Sequence, residues 1–307
     1  RIEICIAGCI ITIFMMYSID ISYQGTILLN ELLLLYVFWA CQNAYVKPVE
    51  YCHLRKVSLK SIGLIIVAAI FLFIMADYVN ACSMIAFQNL LDDSLQAIVN
   101  KPVEALVVVA ILPAIIEEFL FRGMIYRGIA NKSNKKIAII ISALLFAFLH
   151  MNFNQMCYAF VMGLVFAIVI YLTDNLSVSI LLHMLFNAFT VIITCFEKSN
   201  AIQAILQCNI AGYTLFNPSL TDTQGKIEIS LLIIGGLIAI LSAVIAGWLI
   251  LLIAKTEKTT ETTINNKNIL KDNDNIFKNN EKWKPDLRFF AGSGVCILIA
   301  ILYEILL

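Results

Sequence analysis

Four polar residues stand inside long apolar stretches of the chain, where such side chains are costly and usually mark function. Glu117 lies in one stretch, His150 in a second, and His183 and Asn187 in a third. In a dry pocket Glu117 could act as general base on a water molecule, and His150 could share that task. His183 and Asn187, four residues apart on one helix face, could donate hydrogen bonds to a developing oxyanion. These residue types indicate a hydrolase that acts on a carbonyl group.

Three further residues are expected to support this set. Glu118 and Arg122 are spaced i, i+4 with the acid first, an arrangement that favours a helical ion pair. Such a pair satisfies both charges and leaves the adjacent Glu117 on a different face, available for chemistry. Phe146 stands one turn before His150 and is expected to pack beside it.

Other interpretations of the same residues stay open. The Glu118–Arg122 pair and the histidines could be buried pairs that only lock helices together, or the site could carry ions or protons. Glu117, His150 and His183 could also bind a metal, with zinc as the candidate cofactor. The chain has no HExxH motif, so the spacing does not decide whether a metal is bound.

The composition indicates that the elements around these residues lie in a membrane. Of 307 residues, 61% are hydrophobic and only 14% are charged, and the mean hydropathy is +0.89. Soluble domains are about 45–50% apolar and about 25% charged, so a soluble enzyme and a disordered chain are excluded. Lysine plus arginine and aspartate plus glutamate both number 21, so no excess positive charge favours nucleic acid.

Runs of about 20 apolar residues predict an all-α, polytopic helical bundle of about eight to nine transmembrane helices. The nine candidate spans are 3–19, 27–45, 61–81, 102–121, 137–153, 155–173, 177–195, 229–254 and 289–307. The predicted organisation is N-terminal transmembrane helices over 1–100, a catalytic core over 101–195, an outer loop and helix over 196–254, a polar cytoplasmic linker over 255–288 and a C-terminal helix over 289–307.

The distribution of basic residues predicts the orientation. Lys and Arg are concentrated in the segments 46–60, 122–136 and 255–288, which nine alternating spans place on one side. Because cytoplasmic loops carry the excess of Lys and Arg, the N-terminus is expected inside and the C-terminus outside.

The rise per residue of an α-helix predicts that the polar residues lie at a similar depth in the membrane. Glu117 is ten residues from Arg127, and His150 is fourteen residues from Lys136. At about 1.5 Å per residue these separations are about 15 Å and about 21 Å, both near the middle of a bilayer. His183 reaches a similar depth, so three helices are expected to bring polar groups together.

At these residues the sequence resembles the CAAX-protease and bacteriocin-processing family of intramembrane proteases, also called CPBP or Abi. Three ordered motifs carry the resemblance, and they are EExxxR at Glu117–Arg122, FxxxH at Phe146–His150 and HxxxN at His183–Asn187. The resemblance implies that Glu117 and His150 activate water and that His183 and Asn187 form the oxyanion site. The family is often labelled metalloprotease, although a glutamate-dependent mechanism has also been argued for some members.

The resemblance implies an endopeptidase that cleaves a membrane-associated protein or peptide, with bacteriocin processing or self-immunity as the bacterial roles. The expected partners are the lipid bilayer and a peptide or membrane-protein substrate. The abundance of Ile, Asn and Lys indicates an A/T-rich genome, which favours a bacterial source. The expected location is therefore a bacterial cytoplasmic membrane. The alternatives are a non-catalytic membrane immunity or binding protein and an ion-coupled transporter.

Overall fold

The structure is a computed structural model, and it describes residues 25, 27–32, 34–35, 51–87, 99–131, 133–150 and 152–267. These residues form a mostly helical bundle, in agreement with the predicted helical fold. The predicted spans 3–19 and 289–307 lie outside the described residues, as does most of the span 27–45.

The elements follow one another with short connections. In chain order they are α1 (Leu59–Ser83), α2 (Pro102–Ala105), π1 (Leu106–Ile111), α3 (Leu112–Glu118), π2 (Phe119–Tyr126), α4 (Arg127–Ala130), α5 (Lys135–Leu149), α6 (Phe153–Thr173), α7 (Leu176–Cys195), α8 (Asn200–Leu206), β1 (Asn209–Ile210), β2 (Tyr213–Thr214) and α9 (Ile229–Lys267). Within the described residues, α1, α6, α7 and the Ile229–Thr259 part of α9 are long and apolar enough to cross a membrane. These four helices match four of the nine predicted spans.

The helical run that carries the glutamates is irregular. It extends from Pro102 to Ala130 and alternates α- and π-helical segments, with the short α3 between π1 and π2. Pro113 in α3 lacks an N–H group, so the regular hydrogen-bond ladder is interrupted there. π-Helical turns occur frequently at functional sites.

The helix before His150 is shorter than the predicted span 137–153. α5 ends at Leu149 and has 15 residues, a length of about 22 Å against a hydrocarbon core of about 30 Å. It ends because Asn152 caps the next helix, with its side chain accepting the backbone N–H of Gln155. His150 therefore stands at the end of α5 and not inside a spanning helix.

Close packing joins the helices around the site. α7 packs against π1, α1 and α3, and α1 also packs against α6 and α9. A Cβ atom added to Gly163 of α6 would lie 3.1 Å from the Cα atom of Ala143 in α5. Small residues of this kind let membrane helices approach closely, and here they bring α5 against α6.

The basic segments meet at one end of the bundle, around the turn between α6 and α7. His53 Nδ1 lies 2.7 Å from Asp174 Oδ2, and Arg127 Nη1 donates to Asp174 Oδ1 at 2.6 Å. Arg55 Nη2 lies 3.4 Å from the same carboxylate. Two basic segments that are distant in sequence thus share one acidic residue, as expected if both lie on one side of the membrane.

The segment 255–288, which we predicted to be a polar linker, begins as helix. α9 continues to Lys267 because no glycine or proline interrupts it after Gly247. Glu257 is buried and accepts hydrogen bonds from the backbone N–H of Ser58 and from Asn175 Nδ2. These contacts tie α9 to the same end of the bundle as Asp174.

The segment between α8 and α9 contains one small hairpin, which the all-α prediction did not include. Asn209 pairs with Thr214, and Ile210 pairs with Tyr213. The two residues of the turn, Ala211 and Gly212, both have positive φ angles, of 51° and 85°. This backbone suits a two-residue hairpin turn.

Candidate active site

Glu118 is the centre of a buried polar network. Its Oε1 atom accepts a hydrogen bond from Arg122 Nη1 at 2.7 Å, and both side chains are fully buried. The ion pair predicted from the i, i+4 spacing is therefore present. Ser179 of α7 donates its hydroxyl to Glu118 Oε2 at 2.6 Å. Both carboxylate oxygens are used, so Glu118 joins α3 to α7.

Arg122 extends this network to two further helices. Its Nη2 atom donates to the backbone carbonyl of Gly163 in α6 at 3.1 Å. Its guanidinium carbon lies 4.3 Å from the centre of the Phe146 ring of α5, a cation–π distance. The Phe146 ring also packs against the rings of His150 and His183, at 5.2 and 5.7 Å. Phe146 thus packs among the site residues and is not placed to react.

Glu117 faces the second histidine across a short gap. Glu117 Oε2 lies 3.8 Å from His183 Nε2, and both side chains are more than nine-tenths buried. This distance is longer than a hydrogen bond, and such a separation can be bridged by one water molecule. The residues brought together here come from α3 and α7, two of the three helices that were expected to bring polar groups together.

The other nitrogen of His183 is held by the polar network. His183 Nδ1 lies 3.1 Å from Glu118 Oε1, and a carboxylate only accepts, so Nδ1 carries the hydrogen. The Phe166 ring stacks on the imidazole at 4.7 Å and fixes its plane. In the neutral imidazole, Nε2 therefore presents a lone pair to Glu117. Glu118 is also placed to stabilise an imidazolium, the form in which Nε2 donates to an oxyanion.

Asn187 contacts the irregular helix. Its Nδ2 atom donates to the carbonyl oxygen of Val109 at 3.2 Å. Val109 stands four residues before Pro113, which has no N–H to donate to this carbonyl in an α-helical i to i−4 bond. Asn187 therefore satisfies a carbonyl of π1. A primary amide has two hydrogens, so one remains for a second acceptor.

His150 lies at the edge of the group. Its Nδ1 atom is 3.0 Å from the Phe146 carbonyl oxygen, which only accepts, so Nδ1 carries the hydrogen and Nε2 is left as an acceptor. Among the residues described, no hydrogen bond or ion pair joins His150 to Glu117. The structure thus brings Glu117, Glu118 and His183 into one cluster and places His150 against Phe146 beside it.

The donor set does not form a metal site in this arrangement. Across the described ranges, no group of three or more His, Cys, Asp or Glu residues is placed to hold a metal ion. Glu117, His150 and His183 therefore do not converge as zinc ligands normally do.

Ser179, Phe166 and Gly163 contact the site and belong to none of the motifs. Ser179 stands four residues before His183 on the same face of α7, so helical spacing could have identified it. Phe166 and Gly163 contact the site because α6 packs beside it. Residue spacing within one helix does not predict such contacts between helices. Glu31 is a further buried carboxyl group, and it lies inside the predicted span 27–45.

Comparisons with known proteins match the part of the chain that holds this network. The model of the type II CAAX prenyl endopeptidase Rce1-like family matches residues 99–189. The "Membrane-embedded CAAX protease MroQ" of Staphylococcus aureus (strain USA300) is 34% identical over 116 residues, which are 36% of this chain and 47% of that protein. The "Putative membrane peptidase YdiL" of Bacillus subtilis (strain 168) is 31% identical over 87 residues, which are 28% of this chain and 36% of that protein.

The chain thus spans less than half the length of the two curated relatives. No solved structure matches the chain significantly. The matched segment includes α2 to α6 and most of α7, and with them all three motifs. The resemblance that those motifs predicted is therefore confirmed, because residues 99–189 match the model of the Rce1-like CAAX prenyl endopeptidase family.

Proposed function

We propose that the protein is an intramembrane endopeptidase that hydrolyses a peptide bond of a membrane-associated protein or peptide. The observation that carries the proposal is the buried pair of Glu117 and His183, whose facing atoms leave a gap of 3.8 Å. The names of the two relatives, a membrane-embedded CAAX protease and a membrane peptidase, support the same class of activity.

In the proposed reaction Glu117 takes a proton from water, and the remaining hydroxide adds to the carbonyl carbon of the peptide bond. His150 Nε2, an acceptor, assists by orienting the water. The developing oxyanion is stabilised by the second amide hydrogen of Asn187 and by His183 when it is protonated. Burial of the site strengthens these interactions, because little solvent screens the charges.

The arrangement of Glu118 supports separate roles for the two glutamates. Arg122, Ser179 and His183 use both carboxylate oxygens of Glu118, so this residue is occupied by structural contacts. Within the described residues, Glu117 is joined to the network only by the longer approach to His183. Glu117 is therefore the carboxylate that can accept a proton from water.

We also propose a location and a biological role for this activity. A bacterial cytoplasmic membrane suits the relatives, which come from two bacteria. Bacteriocin processing and self-immunity are the candidate roles that the motif resemblance implies, and a peptide or membrane protein in the bilayer is the candidate substrate.

Comparative proteomics of membranes tests the proposal. Membranes that carry the wild type and Glu117→Gln are prepared at matched expression, and their peptide termini are mapped. We expect truncated products only with the wild type, and their ends give the cleavage specificity. If the two maps coincide while a host phenotype such as toxin immunity persists in both, the protein acts by binding and not by hydrolysis.

A further inference from the structure

A cavity that the proposed reaction does not use lies between α6 and α9, two helices that pack against each other. Its volume is about 400 Å³, within the range of about 300–1,000 Å³ that is typical of small-molecule sites. The described residues that line it are Leu172 of α6 and Leu251, Ala254, Lys255, Lys258 and Thr259 of α9. The cavity therefore combines an apolar wall with two basic side chains.

The cavity lies at one end of both helices, at the level of the membrane surface. Leu172 stands two residues before Asp174, in the turn that ends α6. The part of α9 that is long and apolar enough to cross a membrane is Ile229–Thr259. Lys255 stands 26 residues after Ile229, a rise of about 39 Å, whereas the hydrocarbon core is about 30 Å thick. When α9 spans the bilayer, its basic end therefore reaches the lipid headgroups.

The lysines of the cavity belong to an exposed face of α9. Trp248, Leu251, Lys255 and Lys258 follow one another at a spacing of three or four residues, so they share this face, and all four are exposed. Glu257, between the two lysines, is buried and makes the contacts with α1 and α7 described above. The exposed face changes from apolar to basic along the helix, with a tryptophan before the change. This order is typical of a helix that passes from hydrocarbon into the headgroup region.

The chemistry of the lining matches an anionic phospholipid. Such a lipid carries negative charge at the headgroup and apolar chains directly below it, and the cavity presents lysines and an apolar wall in the same order. No aspartate or glutamate is among the described residues that line the cavity, so the lining itself does not neutralise the lysines. Basic pockets between membrane helices are a recurring form of lipid headgroup site. A soluble anion would have no use for the apolar wall.

We propose that this cavity binds one anionic phospholipid of the surrounding bilayer. The headgroup phosphate lies against Lys255 and Lys258, and the first carbons of the acyl chains lie against Leu172 and Leu251. The bound lipid contacts both α6 and α9, and because it binds the folded protein it raises the stability of this end of the bundle. The site does not depend on the proposed hydrolysis.

Native mass spectrometry of the full-length protein in a non-ionic detergent tests the proposal. The probes are phosphatidylglycerol and phosphatidylcholine with the same acyl chains, which differ in net charge. We expect the wild type to bind phosphatidylglycerol more tightly. A lysine close to an anionic headgroup contributes about fivefold in affinity. The double variant Lys255→Gln with Lys258→Gln should therefore weaken phosphatidylglycerol binding by about 25-fold and change phosphatidylcholine binding little.

A matched control removes the same charge elsewhere at this end of the bundle. Lys56 and Lys60 are exposed, flank the Ser58 cap that contacts Glu257, and do not line the cavity. Lys56→Gln with Lys60→Gln should leave phosphatidylglycerol affinity within about twofold of the wild type, a smaller change than one headgroup lysine gives. Equal losses in the two double variants, or equal affinity of the wild type for both lipids, would overturn the site. Displacement of the lipid by glycerol 3-phosphate, which has no acyl chains, would show a site for soluble phosphate and also overturn the proposal.

Discussion

At the scale of single residues, the two adjacent glutamates are separated by their surroundings. Glu118 is fully buried and has a partner on each oxygen, whereas Glu117 faces the Nε2 atom of His183 across a gap. This difference supports the roles proposed above, which are structural for Glu118 and chemical for Glu117. It also predicts different outcomes when each side chain is removed.

Replacement of Glu118 is expected to reduce the stability of the protein more than it reduces the hydrolysis rate per folded molecule. Glu118→Ala leaves the buried Arg122 guanidinium without its ion-pair partner. Breaking a buried pair in this way lowers the free energy of unfolding by about 3–5 kcal/mol. Folded yield and thermal unfolding in detergent measure the loss. The double variant Glu118→Gln with Arg122→Met removes the stranded charge and should regain part of the stability. A Glu118→Ala protein as stable as the wild type would contradict this assignment.

The site residues were predictable from the sequence where one helix presents them. The Glu118–Arg122 pair follows from an i, i+4 spacing, and the prediction is confirmed by the 2.7 Å contact. Glu31 is also an ionisable residue within a predicted apolar span, and it is buried. The criterion that identified Glu117 in the sequence therefore applies to it as well. The contact of Phe166 with His183 depends on the packing of two helices, and spacing within either helix does not predict it.

At the scale of elements, the irregular helix around Glu117 is held by α7. A proline within a helix removes one backbone hydrogen bond, as Pro113 does here. The sequence did not indicate that Asn187 satisfies the Val109 carbonyl, because that bond joins two helices. Similarly, hydropathy predicted a span over 137–153, whereas α5 ends at Leu149. Apolar residues continue past the end of a helix, so hydropathy does not fix its last residue.

A double substitution tests the structural role of Asn187 separately from its proposed role in the reaction. Asn187→Ala leaves the Val109 carbonyl without this donor, which costs about 1–3 kcal/mol for a buried group. Pro113→Ala supplies a backbone N–H, so the double variant should regain stability. It should not regain the peptide rate, because the second amide hydrogen of Asn187 is still absent.

Thermal unfolding and kcat, measured on the same preparations, check this prediction. Pro113→Ala alone serves as the control for the change in helix geometry. If the double variant regains stability and rate together, the contribution of Asn187 is structural only. If it regains neither, the Val109 contact is not what stabilises the helix.

At the scale of the whole molecule, the charged end of the bundle joins segments that are far apart in sequence. The basic residues predicted that 46–60 and 122–136 lie on one side, and the structure joins them through Asp174. The turn that contains Asp174 has no basic residue, so the charge pattern alone did not place it. Which side of the membrane this end faces remains a prediction.

This cluster gives a pH dependence with a defined sign. Burial alone would raise the pKa of Asp174, but the hydrogen bond from His53 and the charge of Arg127 lower it to about 2. A carboxyl group with a lowered pKa stabilises the folded state above its ordinary pKa of 3.8. That contribution is lost as the pH falls from about 4 towards about 2.

Asp174→Asn isolates the charge, because asparagine also tolerates the left-handed backbone at this position, where φ is 51°. The Asp174 side chain is 48% exposed, so solvent screening limits the expected loss to about 1 kcal/mol at neutral pH. Thermal unfolding of both proteins in a non-ionic detergent should show the difference at pH 6 and its disappearance near pH 2. A gap of constant size at both pH values would exclude the ionised carboxylate as its cause.

The most direct test of the central claim is the hydrolysis rate of the purified protein in nanodiscs, compared between the wild type and Glu117→Gln. The substrate is the peptide whose cut site the membrane proteomics defines, and thermal unfolding shows that both proteins are folded. We predict that Glu117→Gln lowers kcat by about 100-fold or more, as expected for loss of a general base. A folded Glu117→Gln protein that cleaves at the wild-type rate would contradict the account.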